Sequence, residues 1–374
     1  MDSQRISLTC APGGENHRGN QLIGVPPTKG SGLKYSDLII LSDELKKKYG
    51  DKVELYDLNK LGNINTNLFN SLSDENKANV LIIRDYAKHN TREIFKECMS
   101  DEWDRKFLDP NKYRTEIIDG KEVRKRGKVL NKHARRNICY VKKLNQDPNY
   151  LEGKGRIVDL ESKPILNSTV DNLIKEFNTI LMNKGSESRI VINVVEGNHY
   201  YNLKKTGIGF HGDTERVVVI CITIGGGGNY PMRWSWFING KPCGIPIDIG
   251  LNDGDLYIMS EKAVGADWKK RIIYTLRHAA GCEKYRSMKK WIVKKSGKKS
   301  DKKLQENNEI AKTKLIIKEL DYKNTKLTIG LIVDCDINVG NVTYEMLGKQ
   351  LCDFEKYNIE HNGKQIKSGV YYLK

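Results

Sequence analysis

The sequence predicts an α+β chain with a core of jelly-roll type, a β-sandwich or barrel, and three observations carry that expectation. From "SRIVINVVEG" to "IIYTLRHAAG", short β-branched and aromatic runs ("RVVVICITI", "MRWSWFI", "CGIPIDIG", "DGDLYIM") alternate with Gly, Asn, Asp and Pro, the punctuation of successive short strands. Just ahead of them, "STVDNLIKEFNTILMNKG" has a clear helical period. Before that, helix-like and strand-like stretches follow one another.

Taken in order, "DLIILSDELKKKYG" reads as a short strand running into a helix, and "ANVLIIRDYA" as a buried strand. "SDEWDRKFLDPNKY" reads as a helix stopped by Pro110, and the segment from 120 to 145 as a charged hairpin or loop. In the long helix Ser168 or Thr169 would cap the start. Leu173, Phe177, Ile180 and Leu181 recur at helical spacing, and Gly185 would end it. "GGGGNYP" (225–231) fits a hairpin connection, and it lacks the Lys-Ser/Thr of a phosphate loop, so nucleotide triphosphate binding is not expected. "KKSGKKSDKKLQENNEIAK" reads as a linker, followed by a small separate α/β unit. The expected organisation is an N-terminal α/β region over 1–150 serving as substrate lid or support, the jelly-roll core over 151–290, a Lys-rich linker over 291–312 and a C-terminal module over 313–374.

A chain of 374 residues with 38% hydrophobic and 30% charged residues fits a polar-surfaced globular protein. No run reaches the roughly 18 apolar residues of a membrane span. "MDSQRISLTCAPGG" lacks the basic-then-apolar pattern of a secretory signal. The eight cysteines are scattered without a C-x-x-C, as expected of reduced thiols in an intracellular protein. The net charge of +17 has two concentrations: residues 121–136 carry eight Lys/Arg against one Glu, and residues 284–303 carry ten against one Asp. Such clusters point to nucleic acid as a partner, against the plainer reading of solvated loops.

The chemistry is expected in "TGIGFHGDTERVVV". Seven histidines and 47 acidic residues among 374 give about one His-x-Asp/Glu pair by chance, so the pair alone is weak. On a strand, however, His211 and Asp213 would share a face. "TLRHAAG" brings His278 back 65 residues later, room enough for the intervening strands. Two histidines and one carboxylate on one side of a metal form the facial triad of non-haem Fe(II) oxygenases. In that chemistry 2-oxoglutarate and O₂ take the remaining positions. The distal carboxylate of 2-oxoglutarate then needs an arginine fork, for which Arg286 is the candidate, while Arg277 should point away. Trp234 and Trp236, two apart on one strand, could stack on a base or pack in the core. His17, His89, His133, His199 and His361 are given no role.

"NHYYNLKKTGIGFHGDTER" and "NDGDLYIMSEKAVGADWKKRIIYTLRHAAG" resemble, in order and spacing, the motif stretches of AlkB-like 2-oxoglutarate/Fe(II) dioxygenases, nearest to those of large DNA viruses and algae. The resemblance covers roughly 190 to 290. It implies a double-stranded β-helix core, with Fe(II), 2-oxoglutarate and O₂. His211, Asp213 and His278 would be the metal ligands, Asn198 and Tyr200 polar contacts to 2-oxoglutarate, and Arg286 its salt-bridge partner. Glu215 matches an acidic residue that reads a substrate base, with a salt bridge to Arg216 as the other reading. The interval from His278 to Arg286 is short for that family, and Ile292 stands where a second arginine would follow. The implied activity is oxidation of N-methyl groups on nucleic acid, in demethylation or repair, in the host cytoplasm or nucleus if the chain is viral. Hydroxylation of protein side chains, and a non-catalytic nucleic-acid-binding protein, are the alternatives.

Overall fold

Polar Arg5, Ser7 and Thr9 alternate with apolar Ile6, Leu8 and Cys10 at the start of the chain, and that period of two forms a strand, β1 (Arg5–Ala11). The computed structural model describes residues 3–17, 19–64, 73–226 and 228–292, and beyond them the strands 314–322, 325–327, 331–334, 356–361 and 364–370. Two compact units divide the chain, Met1–Lys294 and Lys295–Lys374.

In the first unit β1 is followed by β2 (Gly13–His17), β3 (Gln21–Gly24), α1 (Tyr35–Tyr49), β4 (Val53–Asp57), β5 (Asn79–Ile83) and α2 (Thr91–Met99). Next come a long pair, β6 (Lys106–Ile118) and β7 (Lys121–Asn131), then β8 (Arg136–Val141), β9 (Ile157–Asp159) and α3 (Pro164–Asn183). The strand-rich segment supplies β10 (Val194–Tyr200), β11 (Gly207–His211), β12 (Val219–Gly225), β13 (Tyr230–Ile238), β14 (Lys241–Leu251), β15 (Leu256–Met259) and β16 (Thr275–Gly281).

These strands make a large sheet in the order β4-β5-β15-β12-β1-β10-β8-β9 and a small one in the order β11-β16-β13-β14. All neighbours are antiparallel except β8 and β9. The outer face of the large sheet presents Ile6, Leu8, Ile220 and Ile222 to Leu38, Leu41 and Leu45 of α1, Ile94 of α2, and Leu173, Phe177 and Leu181 of α3. Between the two sheets lies a second core of Val80, Val219, Trp234, Trp236, Ile249 and Met259. At about 1.5–3 kcal/mol for each large side chain withdrawn from water, these two layers hold the sheet on both faces.

The expected boundary at 150 does not separate two cores. β1 lies between β10 and β12, and β5 pairs with β15, so N-terminal strands are built into the same sheet as the later ones. The apolar run expected as a strand at 37–40 is helical from Tyr35: the Asp37 carboxylate accepts the Lys34 N–H at 2.7 Å, and Leu38, Leu41 and Leu45 fall on one buried face. The stretch 100–113, expected as a helix stopped by Pro110, is not helical: α2 ends before it at Met99 and β6 begins at Lys106, with Pro110 exposed where the pairing register shifts, a place that spares its missing N–H. Of the segment 120–145 expected as a charged hairpin or loop, 121–131 forms one arm of a hairpin with β6, whereas 136–141 is β8, a mostly buried strand of the large sheet. α3 begins at Pro164, with Ser168 and Thr169 inside it donating to the Ile165 carbonyl rather than capping. Gly185 follows its end with φ +73°. The glycine-rich stretch before β13 is not a hairpin, because β12 and β13 belong to different sheets.

In the second unit Lys314–Tyr322 pairs with Thr325–Leu327, Leu331–Asp334 and Lys356–His361, and the last pairs with Lys364–Val370. The linker expected over 291–312 lies outside the described residues from 293 onward. Cys10, Cys98, Cys139 and Cys221 are buried free thiols, while Cys335 and Cys352 lie outside the described residues. No described helix is long and apolar enough to cross a membrane.

Candidate metal centre

β11 and β16 are paired so that His211 stands opposite His278. β11 ends at His211, and the chain turns at Gly212, where an added Cβ would meet the Gly265 carbonyl oxygen at 2.1 Å. Asp213 is then fixed by its N–H donating to the Val264 carbonyl at 3.2 Å. One ligand atom from each of His211, Asp213 and His278 lies within 4.8 Å of the others. The imidazole centroids are 4.5 Å apart, and Asp213 Oδ1 is 3.4 Å from Nε2 of His211 and 3.9 Å from Nε2 of His278. Among the described residues this is the one such group of three or more.

The donor set suits a divalent metal with nitrogen and oxygen ligands. Nδ1 of His211 is 2.8 Å from the Gly209 carbonyl oxygen; as the donor there it leaves Nε2 with a free lone pair turned to Asp213. Burial, reinforced by His211 and Arg216, holds the His278 imidazole well below its ordinary range, in the neutral form that binds metal.

A cavity of about 390 Å³ opens beside the three, and Asn198, Tyr200 and Glu215 are among its lining residues. The Asn198 Oδ1 accepts from Asn137 Nδ2 at 2.6 Å and from Arg135, and its Nδ2 donates to Glu196. Glu215 pairs with Arg216 at 2.8 Å, so of its two readings the salt bridge is the one formed. Arg216 is buried and also meets Glu196 and, at 3.7 Å, Asp213. Burial opposes its charge, but the three carboxylates raise its pKa well above the ordinary value.

Two expectations are corrected and one holds. Trp234 and Trp236 are fully buried between the sheets, and Trp236 donates its indole N–H to the Leu58 carbonyl at 2.9 Å, so neither can stack on a base. Arg286 does not line the cavity: its guanidinium is 3.4 Å from Asp248 and 3.2 Å from Glu283, and donates to the Gly281 carbonyl. Arg277 does turn away from the cluster, over the rings of Phe237 and Trp268.

Arg5, which sequence reasoning passed over, has the character sought in Arg286. It is fully buried on β1, its guanidinium 5.2 Å from the ring of Tyr230. Its two terminal nitrogens donate to the carbonyls of Leu251 and Gly228, while its Nε and the hydroxyl of the neighbouring Tyr230 have no hydrogen-bond partner in the structure. Tyr230 and Leu251 both line the cavity, and Arg5 stands behind them, not itself among the lining residues. A buried guanidinium bonded to carbonyl oxygens, with a donor to spare, is a ready seat for an anion. The alternation of Arg5, Ser7 and Thr9 was the signal that could have found it.

No family model matches the chain. Over 290 residues it is 36% identical to "Uncharacterized protein R156" of Acanthamoeba polyphaga mimivirus, covering 75% of this chain and 97% of that protein.

Proposed function

The chain belongs to the same family as that mimivirus protein, and for it we propose a 2-oxoglutarate- and Fe(II)-dependent oxygenase of AlkB-like type acting on N-methyl groups of nucleic acid. The observation that carries this reading is the convergence of His211, Asp213 and His278 on one point in a cavity wall. The strand path supports it. From β10 to β16 the chain passes back and forth between the two sheets, and β10-β1-β12-β15 with β11-β16-β13-β14 would supply the eight strands that a double-stranded β-helix needs, β1 filling a place the later strands leave open.

His211, Asp213 and His278 would hold a ferrous ion, which with 2-oxoglutarate and O₂ would supply the oxidation of an unactivated C–H bond. The protein's part is to bind, orient and exclude water. His211 is oriented through Gly209, and Asp213 through Val264. Arg216 balances the charge of Asp213, Glu196 and Glu215 in a buried setting. Arg5 and the Tyr230 hydroxyl would receive the distal carboxylate of 2-oxoglutarate, with Tyr200 and Asn198 along the same wall. Met232, Leu251, Tyr257 and Met259 add apolar surface to a lining that is otherwise mostly polar.

Aerobic turnover with Fe(II) and 2-oxoglutarate tests the reading, by following succinate and, from oligonucleotides carrying methylated adenine or cytosine, formaldehyde. Both products are expected from the wild type and neither from His211→Ala or Asp213→Ala. Succinate without formaldehyde would move the substrate to a protein side chain, and absence of succinate would end the oxygenase reading.

A further inference from the structure

One short segment of the first unit carries a large share of the net charge. Residues 105–136 carry twelve Lys/Arg against four Asp/Glu, which accounts for eight of the net +17. Most of it lies on β6 and β7, which pair with each other and with no other described strand, so the ribbon presents both faces to solvent. Lys112, Lys121, Arg124, Arg126 and Lys128 are exposed. Among the described residues, ion pairs on the ribbon join Glu116 to Arg114 and Lys125. Arg124 lies 4.1 Å over the ring of Tyr113, itself 41% exposed. So many like charges on one thin element repel each other, and a polyanion relieves that repulsion.

The root of the ribbon adjoins the metal centre. A second cavity, of about 410 Å³, is lined by Phe107 of β6, by Lys132 and His133 just past β7, and by Tyr285; it shares Arg135, Glu196 and His211 with the first. Two aromatic rings, cations and a common wall with a metal ligand suit a flat ring carried on a phosphate backbone.

We infer that ribbon and second cavity together bind one strand of nucleic acid, the ribbon cations on successive phosphates and one unstacked base between Phe107 and Tyr285, beside His211. This rests on the nucleic-acid part of the proposed function and not on the oxidation. A base within a duplex must first be extruded, at a cost of a few kcal/mol, so a single strand binds more tightly than a duplex of the same sequence.

Fluorescence anisotropy of the full chain with labelled single-stranded oligonucleotides, one DNA and one RNA, without Fe(II) or 2-oxoglutarate, tests this. Arg124→Glu/Arg126→Glu is expected to weaken binding at least tenfold and to shallow the dependence of log K on log salt by about 0.7 for each phosphate no longer neutralised. The milder Arg124→Gln/Arg126→Gln should show a smaller loss of the same kind. Tyr285→Ala should weaken binding roughly tenfold with the salt slope unchanged. Lys46→Glu/Lys175→Glu, which alters net charge equally at exposed positions of α1 and α3, should leave both quantities in place. Ribbon variants that bind like the wild type, a control that weakens binding as much as they do, or a duplex preferred over the single strand would each overturn the inference. With no metal in the assay, its failure leaves succinate production untouched, and loss of succinate production leaves this binding untouched.

Discussion

A methyl group on residue 212 would come within 2.1 Å of the Gly265 carbonyl oxygen, and Gly265 itself needs φ +75°. The tight crossing of these two glycines sets Asp213 beside His211. Gly212→Ala is therefore expected to lower stability by about 1–3 kcal/mol through overpacking and to weaken metal affinity as Asp213 is pushed aside; urea unfolding and equilibrium dialysis with Fe(II) or Co(II) read the two effects. Arg5 carries the second prediction. Losing a hydrogen bond to a charged group costs about 1.5–3 kcal/mol, so Arg5→Gln should weaken 2-oxoglutarate binding, measured by anaerobic calorimetry, by about 10- to 150-fold. Arg286→Gln, which breaks contacts to Asp248 and Glu283, should leave that binding unchanged. The cluster of His211, Asp213 and His278 was legible in the sequence because two of them lie two residues apart and the third falls in a patterned strand. Arg5 was not, since its place is decided by contacts to Tyr230, Gly228 and Leu251, more than 200 residues away.

Where elements meet, buried histidines tie the ribbon and the large sheet into the fold. The Leu108 N–H of β6 donates to Nε2 of His17 on β2 at 2.7 Å, which requires that nitrogen to be unprotonated. Burial, with Lys132 nearby, pushes His17 down to about 4, and burial with Arg136 and Arg105 nearby does the same to His199 on β10. Because the unfolded chain takes up these protons near the ordinary value of 6.5 and the folded chain does not, stability is whole above that pH and declines as the pH falls toward about 4. His17→Gln keeps an acceptor for Leu108 and removes the titration, so its urea midpoint should fall less than that of the wild type across this window. The same ribbon shows why element type was only partly readable. Its β6 contains Pro110 and an apolar-charged mixture that suits a helix end, and its strand character comes from pairing with β7. α1 was half misread for the opposite reason: four apolar residues in a row fit either period, and the decision falls to Asp37 and to the packing of Leu41 and Leu45.

For the molecule as a whole, the two units and the place of β1 lead to opposite expectations at the two ends. A chain shortened to residues 1–294 keeps every described contact of the metal centre, and should bind metal and unfold in one cooperative step. Removing residues 1–12 deletes a strand from the middle of an eight-stranded sheet together with Ile6, Leu8 and Cys10, and should abolish cooperative unfolding in a calorimeter rather than merely lower the midpoint. The β-rich core was legible strand by strand, since each run alternates or stays apolar as its burial demands. Its membership was not, because no local pattern announces that a strand from the first dozen residues will be recruited there.

That recruitment sets a timetable for biosynthesis. β1 leaves the ribosome well before the strands that flank it, which are made about 200 residues later. Until then its apolar side has no sheet to join, and β10 and β12 emerge with bare edges facing an empty lane. Closing that lane is a contact of very long sequence separation, the slow kind, so a nascent or stalled chain exposes mutually adhesive edges for longer than the finished fold suggests.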